Sequence, residues 1–180
     1  MTDGELLALS QLGDGTAFAE LVGRYRRRLW SICLRISGNH EDAEQAVQVT
    51  LTSAWQNPHK FRGDAKVSAW LCRIAANASL AVIRRRESAV VDDFDVIGLE
   101  YPAALTGDRV ADVDAECRVL GTLPADFRVA IVLREFAEFP DADIAAHEGV
   151  PVATVATRIN RARTQMITLL TPMQGIGATR

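Results

Sequence analysis

Apolar side chains recur three and four residues apart through most of the first half of this 180-residue chain. This spacing keeps them on one face of a helix, and no stretch has the strict alternation of a strand. The pattern predicts helices from Ala17 to about Ile36, from about Glu41 to Trp55 and from about Lys66 to Arg86, with Asn39 as the N-cap of the second. Residues 1–87 are therefore predicted to form an all-α domain.

The last third of the chain has the pattern of a helix-turn-helix. Helices are predicted over about 112–122, 124–138 and 141–147, and from Pro151 onward. Gly149 suits the tight turn between the last two helices, and proline is favoured in a first helical turn. The sequence thus predicts a second all-α domain, a helix-turn-helix domain over residues 112–172, followed by a tail over residues 173–180.

Between the two predicted domains the helical periodicity fades and acids accumulate. The segment from Ser88 to Glu116 holds eight acids and one arginine, a net charge of −7, whereas the whole chain carries −3. The rest of the chain is therefore basic, at +4. We interpret residues 88–111 as an acidic linker between two basic domains, a distribution compatible with nucleic-acid binding despite the negative total.

Several function classes find no support in the sequence. No apolar run approaches the roughly 20 residues of a membrane span, and the acidic N-terminus lacks the positive start of a signal peptide, so a cytoplasmic protein is expected. Cys33, Cys72 and Cys117 lack the spacing of a zinc site or a disulfide framework. No catalytic constellation and no phosphate-binding loop is present. We therefore expect no enzyme activity, no metal and no cofactor.

The last predicted helix has the composition of a DNA recognition helix. Its predicted apolar stripe consists of Val155, Ile159, Ala162, Met166 and Leu169. Four polar side chains near the start of the helix lie off this stripe: Thr154, Thr157, Arg158 and Arg161. Arginine can bind guanine with two hydrogen bonds in the major groove, and threonine can contact phosphate or a thymine methyl group. The alternative is a solvated basic face of a helical hairpin. The glycine turn before this helix favours DNA binding.

Aromatic and basic residues are interleaved between the second and third helices of the first domain. Lys60–Arg62 forms a loop near Trp55 and Trp70, an arrangement suited to holding single-stranded nucleic acid by stacking and by phosphate contacts. The alternative is that the tryptophans belong to the core, which is the better interpretation for Trp70 on the apolar stripe. Arg84–Arg86 could equally grip phosphates or face the helix dipole.

Five segments together resemble the bacterial extracytoplasmic-function sigma factors of the sigma-70 family. They read AFAELVGRYRRRLW, EDAEQAVQVTLTSAW, FRGDAKVSAWLCRIAANASLAVIRRR, LPADFRVAIVLREF and IAAHEGVPVATVATRINRAR. They occur in the family's order and span most of residues 3–170. The resemblance implies a protein that directs RNA polymerase core to specific promoters and helps to melt the −10 element.

The resemblance also implies a role for individual residues. Contact with the clamp helices of the largest polymerase subunit would involve Asp42, Glu44, Gln45 and Gln48. The −10 element would be held by Lys60, Phe61, Arg62, Asp64, Asn77, Arg84 and Arg85. The −35 element would be read by Thr154, Thr157, Arg158 and Arg161. Promoter DNA would be bound as duplex and as single strand, the linker would follow the RNA-exit path, and an anti-sigma factor would be a further partner.

The chain departs from the family pattern at several positions. Gln45 and Val49 stand where acids are common, Ala156 stands where lysine is common, and Pro140-Asp141 replaces a Ser/Thr-Tyr pair. These departures predict an unusual promoter. Two other interpretations remain open at this point: a helix-turn-helix regulator that binds only duplex DNA, and a sigma-like interaction module without polymerase activity.

Overall fold

The computed structural model describes residues 1–63, 65–89 and 107–170, with the side chains of 89, 107–112 and 170 left out of the description. Over these ranges the chain forms helices and no strand, which confirms the all-α prediction. The helices are α1 Asp3–Gln11, α2 Gly15–Ser37, α3 His40–Gln56, α4 Val67–Ala89, α5 Gly107–Gly121, α6 Ala125–Glu135, α7 Asp141–Glu148 and α8 Val152–Leu170, with a 3₁₀ turn at Pro58–Lys60.

The N-terminal module is built from α1 to α4 around the apolar face of α2. Thr2 caps α1 with a capping box to Glu5. Asn39 caps α3 through its side chain, as the sequence predicts. Gly38 ends α2 with φ +81°, a left-handed conformation that costs glycine little. The module's core is formed by fully buried side chains, among them Leu21, Leu29, Ile32, Ile36, Val47 and Leu71.

The C-terminal module is a helix-turn-helix in which α8 packs on α6 and α7. The turn between α7 and α8 contains Gly149 at φ +68°. Val155, Ile159 and Ala162 form the buried stripe of α8. Periodicity predicts these three positions correctly, whereas Leu169, the last residue of the predicted stripe, is 55% exposed.

One predicted helix boundary in this module is wrong. The helix expected to reach Glu138 ends at Glu135, and Glu138 itself has φ +58°. The chain turns here because Phe139 folds back into the core, where its amide donates to the carbonyl of Leu133 at 3.0 Å. The free energy gained by burying this phenylalanine exceeds what one more exposed helical turn would contribute.

The two modules lie against each other. Helix α2 contacts α5 and α6, and α4 contacts α6, so they share a boundary that the linker prediction did not anticipate. Helix α4 continues to Ala89 and α5 begins at Gly107, which takes both ends of the predicted linker 88–111 into helices. Residues 90–106 lie outside the described residues, so the acidic linker stays a prediction there.

Candidate functional site

The loop predicted to hold the −10 element follows α3 and is supported from two sides. Gln11, at the end of α1, donates a 3.1 Å hydrogen bond to the Pro58 carbonyl. Phe61 is half-buried and meets the Trp70 ring edge-on, with 5.8 Å between ring centroids. Lys60 and Arg62 flank this ring and are exposed. The loop thus presents two cations beside an anchored aromatic ring, while the predicted Asp64 lies outside the described residues.

Helix α4 continues this surface with polar residues. Asn77, Arg84 and Arg85 are all exposed. Asn77 and Arg84 are seven residues apart, so they lie on one face of the helix about 10 Å from each other along its axis. The predicted residues on α4 are therefore open to a partner along one side of the helix.

The next arginine of α4 has a different environment. Arg86 forms an ion pair with Asp42 at the start of α3. Asp42 is only 7% exposed, and its carboxylate also accepts a 2.8 Å hydrogen bond from the Asn39 amide. A carboxylate engaged in this way ties α3 to α4, so the structure places Asp42 inside the module's own contacts. The other residues predicted for the polymerase, Glu44, Gln45 and Gln48, lie further along α3, half-buried or exposed.

The residues predicted to read the −35 element divide into two groups. Thr157 and Arg161 are exposed and Thr154 is half-exposed on the open face of α8. The Thr157 hydroxyl donates to the carbonyl of Ala153 at 2.9 Å, one turn earlier. Arg158 instead points toward α6 and α7, and its side chain is only 19% exposed. Of the four predicted residues, the structure brings three together on one surface.

Arg158 connects three helices. It forms an ion pair of 2.9 Å with Asp126 of α6 and another with Glu148 at the end of α7. Burial raises the pKa of Glu148, and the adjacent Arg158 guanidinium opposes that rise. The side chain therefore holds α8 against the other helices of its module.

Sequence reasoning missed a set of arginines at the boundary between the modules. These are Arg28, Arg35, Arg73 and Arg128. Arg28 and Arg35 lie on α2, away from its buried apolar face. No signal in the sequence distinguishes an arginine that faces a carboxylate of a distant helix from one that faces DNA.

Among the described residues, no helix is long and apolar enough to cross a bilayer. The same part of the chain contains no cluster of three or more potential metal-binding His, Cys, Asp or Glu side chains.

Two family models match the chain, one in each module. Sigma-70 region 2 matches residues 21–89 and includes the loop and α4. Sigma-70, region 4 matches residues 118–166 and includes the helix-turn-helix. The two matches thus cover both candidate DNA surfaces.

Curated relatives extend this similarity over nearly the whole chain. The ECF RNA polymerase sigma factor SigM of Mycobacterium tuberculosis is 37% identical over 172 residues, which cover 94% of this chain and 85% of that protein. SigW of Bacillus subtilis is 32% identical over 84% of this chain and 87% of its own length. The sigma-E factor of Escherichia coli is 34% identical over 91% of each chain.

Solved structures have the same architecture. CnrH, in complex with the cytosolic domain of CnrY, superposes with a TM-score of 0.66 at 28% identity, over 93% of this chain and 96% of that one. The sigma factor RpoE of Bartonella quintana, in complex with the anti-sigma factor NepR, gives 0.68 at 29% identity, over 85% and 96%. With two sigma-70 regions in order and relatives above 30% identity along its length, the chain belongs to the ECF sigma factors, which direct RNA polymerase to specific promoters.

Proposed function

We propose that this sigma factor uses three separate surfaces, one for polymerase core and one for each promoter element. The observation that carries the proposal is the pairing, in one chain, of an aromatic–basic loop at residues 58–63 with an open recognition helix, α8. A regulator that binds only duplex DNA has no need of the loop. The protein acts by binding in the cytoplasm and performs no chemistry of its own.

The loop and α4 are proposed to capture the melted −10 element. Melting costs base stacking, and the loss is offset when an extruded base stacks on an aromatic ring or enters a pocket. Phe61 supplies a ring held by Trp70, and Lys60 and Arg62 supply charge for the phosphates beside it. Asn77, Arg84 and Arg85 extend the contact along α4, and Asp64 completes the set that the family resemblance assigns.

The open face of α8 is proposed to read the −35 element as duplex. Arg161 is the exposed cation of this face and is suited to guanine or phosphate, and Thr154 and Thr157 are suited to phosphate or thymine. Arg158 is proposed to act differently from the other three residues. Because it pairs with Asp126 and Glu148, it positions the recognition helix. The contacts with bases would be made by the other three residues.

Core polymerase is proposed to bind α3 through Glu44, Gln45 and Gln48. These residues lie within two turns of one helix, away from the loop and from α8. The partner surface would be the clamp helices of the largest subunit. Asp42 would contribute indirectly, because its ion pair with Arg86 and its hydrogen bond with Asn39 fix the start of α3.

An anti-sigma factor is proposed as a further partner. The Bartonella RpoE was solved with the anti-sigma factor NepR, and CnrH was solved with the cytosolic domain of CnrY. Their likeness to this chain extends over both modules, so a partner that contacts both modules would fit here as well. Co-purification from the native cell would recover this partner together with polymerase.

Transcription with purified polymerase core tests the proposal. Core plus the full chain should give run-off transcripts from a promoter enriched from a random library, and core alone should not. Arg161→Ala should reduce transcripts at least about tenfold, the effect of one lost base contact. Gln165→Ala, a change at another exposed position of α8, is the matched control. Specific duplex binding without core-dependent transcripts would instead identify a conventional helix-turn-helix regulator.

A further inference from the structure

Lysine occurs at two positions in this chain, and both border the loop proposed to hold the −10 element. The sequence contains 20 lysine and arginine residues, of which only Lys60 and Lys66 are lysines. They stand on either side of Phe61 and Arg62. A composition that favours arginine makes lysine rare, but it does not explain why both lysines lie at one surface. The placement therefore indicates that a primary amine has a role at this loop.

Both lysine side chains are open to solvent. Lys60 ends the 3₁₀ turn at Pro58–Lys60, and Lys66 directly precedes α4. Both are exposed, whereas Phe61 between them is half-buried against Trp70. A reagent in solution can therefore reach the two amines while the ring between them is held in place.

Lys66 occupies a position where its own helix gains nothing from the side chain. Its carbonyl accepts hydrogen bonds from the amides of Ala69 at 3.0 Å and Trp70 at 3.1 Å, so Lys66 is the N-cap residue of α4. Residues whose side chains accept hydrogen bonds are preferred there, and a lysine ammonium only donates. A cation at this end also opposes the helix dipole, and the first turn of α4 contains no acid that would offset it. A role outside the fold therefore explains Lys66 better than a role within it.

The other cations proposed to contact the −10 element are arginines. Arg62, Arg84 and Arg85 carry guanidinium groups, which remain protonated in proteins and do not undergo the acyl transfer that lysine amines undergo. Acylation of a lysine removes its positive charge and leaves one N–H donor where the ammonium has three. The charge of this surface can therefore be changed at Lys60 and Lys66 while its arginines stay charged.

We propose that Lys60 and Lys66 form a regulatory acylation site that turns off capture of the −10 element. The inference rests on the proposed function of the loop and adds a chemical means of regulating it. The nitrogen of the neutral amine attacks the carbonyl carbon of an acyl phosphate or an acyl thioester. A C–N bond forms, the bond from that carbon to the phosphate oxygen or the sulfur breaks with its electron pair, and the amine releases one proton to solvent. The product is a neutral amide.

The effect of this charge loss on binding of a melted strand follows from counterion release. For each phosphate of a single strand that a cation neutralises, log K falls by about 0.7 per tenfold rise in salt concentration. One such contact therefore strengthens binding by about fivefold at about 0.1 M salt relative to about 1 M, and two strengthen it by about 25-fold. Acylation of both lysines should weaken capture of the −10 strand by this factor.

Peptide mapping tests the site itself. The full chain is incubated with acetyl phosphate in one arm and with an acetyl thioester in the other, and the amino-terminal amine serves as the internal reference. Lys60 and Lys66 should be acetylated in at least one arm, which identifies the donor. The chain recovered from native cells grown with excess acetate should carry acyl groups at the same positions. Reaction at the amino terminus alone, or a chain from these cells with both lysines unmodified, would overturn the site.

Acetyl-lysine incorporated at position 60, at position 66 or at both tests the consequence. With polymerase core, affinity for a fluorescent single strand that carries the −10 element should fall about fivefold for each acetyl group, as measured by anisotropy. The slope of log K against log salt should become shallower by about 0.7 for each group, which a purely structural defect would not produce. Arg118→Gln removes one charge from the exposed face of α5 and should leave affinity and slope unchanged. Equal affinity of the acetylated and unmodified chains would overturn the proposal.

Run-off transcription separates this inference from the proposed function. The unmodified chain with core should give transcripts, and the doubly acetylated chain should give at least about tenfold fewer. If both chains give equal yields, the acylation site has no regulatory role and the proposed function stands. If the unmodified chain gives no transcripts, the proposed function fails, and the regulatory role of the two lysines fails with it.

Discussion

The Arg128 guanidinium donates a 2.7 Å hydrogen bond to the carbonyl of Ile36, which lies 92 residues earlier in the chain and in the other module. The same guanidinium binds the carbonyls of Gly121 and Leu123, where the chain turns from α5 into α6. Burial lowers the pKa of Arg128, which reflects the cost of desolvating the charge. One side chain therefore secures both a turn within its module and the boundary with the other.

The first prediction concerns this side chain. Arg128→Met keeps much of the aliphatic stem but leaves three carbonyls without their donor, two of them buried with it. Hydrogen bonds to charged donors each stabilise a fold by about 1.5–3 kcal/mol, and burial of the methionine offsets part of the loss. We expect the free energy of unfolding in urea to fall by about 3 kcal/mol. Arg118→Met on the exposed face of α5 should change it by less than about 0.5 kcal/mol. Equal losses would contradict this role.

The helices and their caps were predictable because their signals are local. The Asn39 side chain accepts a hydrogen bond from the backbone N–H of Asp42, three residues ahead. Gly149 has a left-handed backbone conformation that residues with a side chain disfavour. Neighbouring residues therefore suffice to identify both. The stripe at Val155, Ile159 and Ala162 follows directly from helical periodicity. Such features depend on contacts within a few turns of chain.

The partners of charged residues were not predictable in the same way. Arg158 and Arg161 are three residues apart on α8 and look alike in sequence, yet Arg158 binds Asp126 and Glu148 whereas Arg161 is open. Arginine can bind a carboxylate or a phosphate, because both are oxyanions that accept two hydrogen bonds from its guanidinium group. Only the tertiary structure decides which of the two it meets.

The second prediction uses that contrast. Arg158→Ala removes the cation that forms an ion pair with the half-buried Glu148 carboxylate. The C-terminal module should therefore lose about 2 kcal/mol of stability. Its affinity for DNA should fall by the same factor on −35 and on unrelated duplexes. Arg161→Ala should leave the free energy of unfolding within about 0.5 kcal/mol of wild type and reduce −35 affinity by about 1–3 kcal/mol.

Thermal melts and fluorescence anisotropy with two duplexes, measured at one fixed salt concentration, distinguish these outcomes. If the Arg158→Ala protein is as stable as wild type and has lost only its preference for the −35 sequence, then Arg158 contacts bases directly. A destabilised Arg161→Ala protein would argue against an open position for that side chain.

The third prediction is a pH dependence at the boundary. Burial, with a smaller contribution from Arg73, lowers the pKa of His147 below its ordinary value of 6.5. The unfolded chain therefore binds the proton first as the pH falls, so His147 contributes stability above about pH 6.5 that is lost below it. The loss cannot exceed about 1.4 kcal/mol per pH unit for one proton.

Urea unfolding at pH 5.5 and at pH 7.5 gives the measurement. His147→Gln removes this titration, and wild type should lose more stability between the two pH values than the variant does. His59→Gln at an exposed position is the control, and it should behave as wild type. Identical pH dependence in wild type and His147→Gln would exclude a contribution from His147.

The fourth prediction concerns the loop and strand opening. Phe61 is held by an edge-on contact with Trp70, so its ring has a fixed position beside Lys60 and Arg62. A stacking ring stabilises an unpaired base by about 1–3 kcal/mol and contributes little to a closed duplex. With core polymerase, Phe61→Ala should therefore reduce permanganate reactivity of −10 thymines about tenfold, while duplex affinity stays within about twofold.

Phe61→Tyr keeps the ring and should retain opening. Phe18→Ala removes a ring that contacts Trp55 elsewhere in the module and reports the effect of lost packing alone. If Phe61→Ala opened the promoter as wild type does, capture of the base would have to be assigned to another group on this surface.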